Sequence, residues 1–133
     1  MLRERMKMPT TKILLVDDEP MVQRICAAIL RKGGFETIVA ENGFDGLEAY
    51  RQNHAEICLI LSDVTMPIMD GIEMVRTIFE MHSDANVIMM SGRDLSDIVP
   101  DDVRRLCSVI EKPFTPEKLI EAVRKCLKYD EDH

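Results

Sequence analysis

The chain has no apolar run approaching the roughly 20 residues needed to cross a bilayer, which argues against a transmembrane helix. Its first ten residues carry Arg3, Arg5 and Lys7 but lack the apolar stretch of a secretory signal, so residues 1–10 are expected to form a short leader outside the fold. Basic excess is missing too. Seventeen Lys and Arg against 24 Asp and Glu leave a net charge of -7, which argues against a surface that binds nucleic acid directly. Cys26, Cys58, Cys107 and Cys126 form no C-x-x-C pair and no metal-ligand spacing. All four lie in apolar segments and are expected to be buried, reduced thiols of a reducing, cytoplasmic compartment. His54, His82 and His133 share no local pattern; the first two fall near helix ends, where a positive charge suits the helix dipole. No internal repeat, low-complexity tract or interior linker interrupts the 133 residues. One domain over residues 11–129 is expected, followed by a frayed acidic tail at 130–133.

With 46% hydrophobic and 31% charged residues, the composition supports a packed core and excludes a disordered or fibrous chain. Short apolar runs alternate with segments of helical period. Residues 12–16 (KILLV) form the first run and stop at Asp17-Asp18-Glu19. Val22, Ile25, Cys26, Ile29 and Leu30 then recur at three-and-four spacing, as on one face of a helix. Asp18 or Glu19 can cap that helix, Pro20 suits its first turn, and Gly33-Gly34 ends it. A second strand over 35–40 leads to a helix capped by Asn42 that runs to about Asn53, weakened by Gly46. A third strand over 57–61 stops at Ser62-Asp63, and the helix after it carries Ile72, Val75, Ile78 and Phe79 on one side. A fourth strand over 86–90 ends at Ser91-Gly92. Residues 93–105 are the poorest element, a helix that Pro100 breaks or delays. The fifth strand, 107–110, meets Glu111-Lys112-Pro113-Phe114, and Thr115 caps a last helix with Pro116 in its first turn. Five strands alternating with five helices predict an α/β fold, a doubly wound parallel sheet covered on both faces.

The residues that end the strands carry the functional information. Strand one runs into Asp17 and Asp18, strand three into Asp63, strand four into Ser91 and strand five into Lys112. In an open parallel sheet all carboxyl ends lie along one edge, where such folds bind ligands. Three carboxylates gathered there repel one another unless a cation compensates. Mg²⁺ suits the set, because it takes a few carboxylates, waters and phosphate oxygens. Lys112 adds a second positive charge and Ser91 a hydroxyl donor; together these parts orient and neutralise a phosphoryl group. Asp63, alone at the end of the central strand, is the expected nucleophile. Taken singly, each residue has a plainer reading: an Asp or Ser after a strand is usually a turn or cap residue, and Lys-Pro is usually a turn. Their coincidence at one edge favours the chemical reading.

The segments I-L-L-V-D-D-E-P, L-S-D-V-T-M-P-I-M-D-G, M-M-S-G and E-K-P-F-T resemble the response-regulator receiver family over residues 12–128. The resemblance implies the flavodoxin-like strand order 2-1-3-4-5. It implies that Asp63 accepts a phosphoryl group from a histidine kinase or phosphotransfer protein in a two-component phosphorelay. Asp17, Asp18, Asp63 and the backbone carbonyl of Thr65 would bind Mg²⁺, Ser91 and Lys112 would contact the phosphoryl group, and Lys112-Pro113 would be cis. Such a protein is no turnover enzyme, although it catalyses its own phosphorylation and dephosphorylation. It signals by phosphorylation-dependent binding to a downstream protein. Thr65 and Arg93 would flank the path of attacking water and tune phosphoryl lifetime.

Departures from the family pattern are also visible. Val109 stands three residues before Lys112, where the family often has Tyr or Phe, and Cys107-Ser108 replaces its common Gly-Ala. A receiver-like docking module that takes no phosphate is one alternative, with Val109 in its favour. A Mg²⁺-dependent aspartyl phosphatase of the haloacid-dehalogenase type needs a second Asp at position 65, where Thr65 stands. A flavodoxin would need a Ser/Thr/Gly-rich phosphate loop after strand one, where D-D-E-P would repel phosphate.

Overall fold

The computed structural model of the chain describes residues 12–92 and 106–132, with side chains described as far as Leu127. The order is β1 (Lys12–Val16), α1 (Pro20–Lys32), β2 (Glu36–Ala40), α2 (Gly43–Asn53), a 3-10 turn (His54–Glu56), β3 (Ile57–Asp63), α3 (Gly71–Met81), β4 (Val87–Ser91), β5 (Ser108–Glu111) and α4 (Pro116–Asp132). The strands form one parallel sheet in the order β2-β1-β3-β4-β5. Among the described residues there are four α-helices; the fifth expected helix, over 93–105, lies outside them.

Strand alternation sorts the apolar residues onto two faces. Leu14, Val16, Ile60, Val87 and Met89 meet Leu47 and Tyr50 of α2 and Ile72, Met74, Val75 and Ile78 of α3. Ile13, Leu15, Leu59, Leu61, Ile88, Met90 and Ile110 meet Cys26 and Leu30 of α1 and Leu119, Val123 and Cys126 of α4. Both faces are therefore covered, which explains why β1, β3 and β4 read as unbroken apolar runs. Each fully buried aliphatic side chain contributes roughly 1.5–3 kcal/mol.

Local chemistry sets the helix ends. Asn42 and Asp70 accept the backbone N–H of Asp45 and Glu73 at 2.8 and 2.9 Å, and Thr115 accepts that of Lys118 at 3.1 Å. The chain leaves α1 through Gly34, whose φ of 98° suits glycine. The start of α1 departs from expectation: Glu19 is the N-cap but makes no side-chain cap bond. Instead the Asp17 carboxylate accepts the Glu19 N–H at 2.9 Å, two residues along in the turn that leads into α1. The last helix also continues through Asp132, past the Tyr129 where the domain was expected to end; no glycine or proline follows Leu127 to stop it.

The expectation of four reduced cysteines fails. Cys107 and Cys126 form a disulfide with Cα atoms 5.7 Å apart. The residue before β5 sits over α4, so the strand–loop–helix return joins two cysteines 19 residues apart that no local spacing links. Cys107 is exposed, contrary to its expected burial. Cys26 and Cys58 remain free, and burial pushes both thiols up to about 11. His54 and His82 do follow α2 and α3, but they also pack together with ring centroids 4.8 Å apart. The Tyr50 hydroxyl hydrogen-bonds His82 Nδ1 at 2.8 Å.

Candidate phosphoacceptor and metal site

The parallel register brings the carboxyl ends of β1, β3, β4 and β5 to one edge. Val16 pairs with Ser62, Asp63 with Met90 and Ser91 with Glu111, so the next residues of neighbouring strands converge there. Asp17, Asp18 and Asp63 each place a carboxylate oxygen within 4.8 Å of the others. Asp17 is fully buried, Asp63 half-buried and Asp18 exposed, so the cluster opens to solvent on one side. Lys112 crosses the edge to join it, with Nζ 3.1 Å from Asp17 Oδ2 and 3.5 Å from Asp63 Oδ2.

The electrostatics follow from that packing. Burial raises the Asp63 pKa first and Asp17 raises it further; Lys112 and the Val64 N–H, 2.9 Å from Asp63 Oδ1, pull the other way without prevailing. Burial alone would lower the Lys112 pKa, but its hydrogen bond to Asp17 and the charges of Asp17 and Asp63 outweigh it and the net shift is upward. One ammonium thus serves two carboxylates with a third beside them. Negative charge is left in excess, and the hard oxygen donors form a cluster that could hold a divalent cation.

Four of the expected side chains therefore meet directly: Asp17, Asp18, Asp63 and Lys112. Ser91 is the buried last residue of β4, and its carbonyl accepts the Lys112 N–H at 2.6 Å. Thr65 lies exposed two residues beyond Asp63. Arg93 lies outside the described residues. The Lys112-Pro113 bond is cis.

Supporting residues escaped the sequence reading. Gln23 Nε2 donates to the Asp17 carbonyl at 2.6 Å, and the fully buried Ser62 hydroxyl donates to the Asp63 carbonyl at 2.8 Å. A lone hydroxyl inside an apolar strand was the available signal for Ser62; Gln23 gave none, being one polar residue on a mixed helix. Gly71 donates its N–H to the Val64 carbonyl at 2.8 Å, and a Cβ there would collide with the Asp63 carbonyl and the Ser62 hydroxyl. Gly43 ties the same loop down by donating to the Met69 carbonyl at 2.7 Å. Within this loop Ile68 adopts φ of 70° with its side chain 83% exposed, an outlier for a β-branched residue.

Comparison with known proteins agrees with this geometry. Residues 13–124 match the family model described as the response regulator receiver domain. The chain is 35% identical over 118 residues to chemotaxis protein CheY of Bacillus subtilis, covering 87% of this chain and 97% of that one. It is 32% identical to response regulator receiver protein CpdR of Brucella abortus over 117 residues, 87% of this chain and 96% of that one. The solved CheX–CheY–BeF₃–Mg²⁺ complex from Borrelia burgdorferi contains a chain that superposes with a TM-score of 0.81 at 28% identity, covering 90% of this chain and 91% of that one.

Proposed function

The chain belongs to the response regulator receiver domain family, and on that premise we propose that Asp63 is its phosphoacceptor. The observation that carries the reading is the meeting of Asp17, Asp18 and Asp63 with Lys112 at the carboxyl edge of the sheet. A carboxylate oxygen of Asp63 attacks the phosphorus of a phosphohistidine. The new P–O bond forms as the P–N bond breaks, and the imidazole leaves with its electron pair. Lys112, now 3.5 Å from Asp63, pairs with a phosphoryl oxygen, and Ser91 at the end of β4 turns its hydroxyl to another. Asp17, Asp18 and Asp63 would hold Mg²⁺, with the Thr65 carbonyl as a further donor, and the ion would neutralise the carboxylates and the charge of the phosphoryl group. Val64 fixes the acceptor by donating to Asp63 Oδ1, and Gln23 holds Asp17 through its carbonyl.

The donor is a histidine kinase or phosphotransfer protein of the cytoplasm, and the output is a phosphorylation-dependent contact with a downstream protein. No described helix is long and apolar enough to cross a membrane. Phosphorylation biases an existing equilibrium between two forms by stabilising the one that grips the phosphoryl group better. With Val109 45% exposed on β5, the signal passes without a rotating aromatic ring at that position.

Intact-mass spectrometry after incubation with acetyl phosphate and Mg²⁺ tests the reading. A gain of one phosphoryl group, absent in Asp63→Asn and absent without Mg²⁺, is expected. No gain, with beryllofluoride also failing to bind, would mean a docking module that takes no phosphate.

A further inference from the structure

The disulfide lies outside the acidic site, yet it spans the segment that supplies Lys112. Cys107 immediately precedes β5, and Cys126 lies on α4 beside Ile110, Leu119 and Val123 in the core. The bond therefore closes a loop that contains all of β5, Lys112 and most of α4. β5 is the last strand of the sheet, only four residues long and paired on one side alone, with β4. Such a strand is laddered on one edge only, so a covalent tie to α4 adds a restraint that its pairing does not supply.

The two sulfurs are unequally placed. Cys107 is exposed and open to small thiols, whereas Cys126 is 6% exposed and packs as a small apolar residue. Reduction would leave Cys126 in a site that already suits a thiol, so both redox forms keep the core. The other two cysteines, Cys26 and Cys58, are free thiols outside this pair.

We propose that Cys107 and Cys126 form a reversible redox pair that locks the edge strand β5 to α4 when oxidised and frees it when reduced. The co-reactant is a low-molecular-weight disulfide such as oxidised glutathione. Cys107 thiolate attacks one of its sulfurs and releases one glutathione thiol. Cys126 thiolate then attacks the Cys107 sulfur of the mixed disulfide and releases the second. Two protein thiols lose two electrons and two protons, and the small disulfide gains them as two thiols. Reduction runs the same steps backwards from Cys107.

The test uses the whole chain, reduced, equilibrated in glutathione buffers of graded composition, quenched in acid, alkylated in denaturant and weighed. Of the four cysteines, all should be alkylated at the reduced limit and two at the oxidised limit, with peptide mapping placing the loss at Cys107 and Cys126. Hydrogen exchange of the β5 amides should slow by about tenfold or more on oxidation. Cys107→Ser, at an exposed position, should exchange like the reduced form in every buffer, and Cys126→Ser should match it. The proposal is overturned if all four cysteines stay alkylatable in every buffer or if the loss maps to Cys26 or Cys58. It is equally overturned if β5 exchanges alike in both states. None of these readings involves phosphoryl transfer, so their failure is distinct from failure of the Asp63 assignment.

Discussion

Replacing Asp63 by Asn should make the fold more stable in the absence of divalent cations. At an effective dielectric of about 20, two carboxylate oxygens at the 4.8 Å limit of this cluster repel by roughly 3.5 kcal/mol. Lys112 at 3.5 Å returns roughly 5 kcal/mol of attraction to Asp63. Asp18 is exposed, and screening reduces its repulsion to about 1 kcal/mol. Charge against charge is thus close to balance, and the deciding contribution is desolvation of the Asp63 carboxylate, of the order of 1–2 kcal/mol. Asn removes that cost, and its amide oxygen can still accept the Val64 N–H. Urea denaturation at neutral pH, followed by circular dichroism in chelator, should show Asp63→Asn more stable by about 1–2 kcal/mol. The pH dependence has a definite sign. The folded pKa of Asp63 lies above the ordinary 3.8, so its cost is full above the folded pKa and fades as pH falls toward 3.8. The advantage of Asn should therefore shrink on acidification. Mg²⁺ at ten times its dissociation constant should add about 1.4 kcal/mol to the native chain and much less to the variant. A variant less stable than the native chain in chelator would refute this account of the charges.

Gly71→Ala should destabilise by about 2 kcal/mol or more in the same denaturation assay, because the added methyl meets the Asp63 carbonyl and the Ser62 hydroxyl. Ile68→Asn should stabilise by about 1 kcal/mol, since Asn tolerates the left-handed backbone and the 83% exposed side chain buries little. Tyr50→Phe should cost about 1 kcal/mol through loss of the hydroxyl bond to His82, with a thermal melt as the measure.

Much of the site was legible because each chemical residue follows an apolar run. Asp17, Asp63, Ser91 and Lys112 all stand where a strand of a covered parallel sheet must end, so topology alone gathers them. What escaped depends on side-chain bonds to nearby carbonyls, which leave no pattern in the residue types. Gln23 reaches the Asp17 carbonyl only because α1 packs back over β1, and Ser62 matters through the carbonyl of its own neighbour. The cysteine pair was misread for a related reason: Cys107 sits in an apolar-looking stretch, but that stretch is an edge strand, where the residue before it turns outward to α4. Asp17 was read as a metal ligand alone, whereas it also holds the first turn of α1 by accepting from Glu19.

The most direct test of the central claim is to trap the phosphorylated residue. Reduction of the acetyl phosphate-labelled chain with borohydride converts an aspartyl phosphate to homoserine, which peptide sequencing locates. Homoserine at position 63, dependent on Mg²⁺, is the predicted result; homoserine at position 17 or 18 in place of 63 would contradict it.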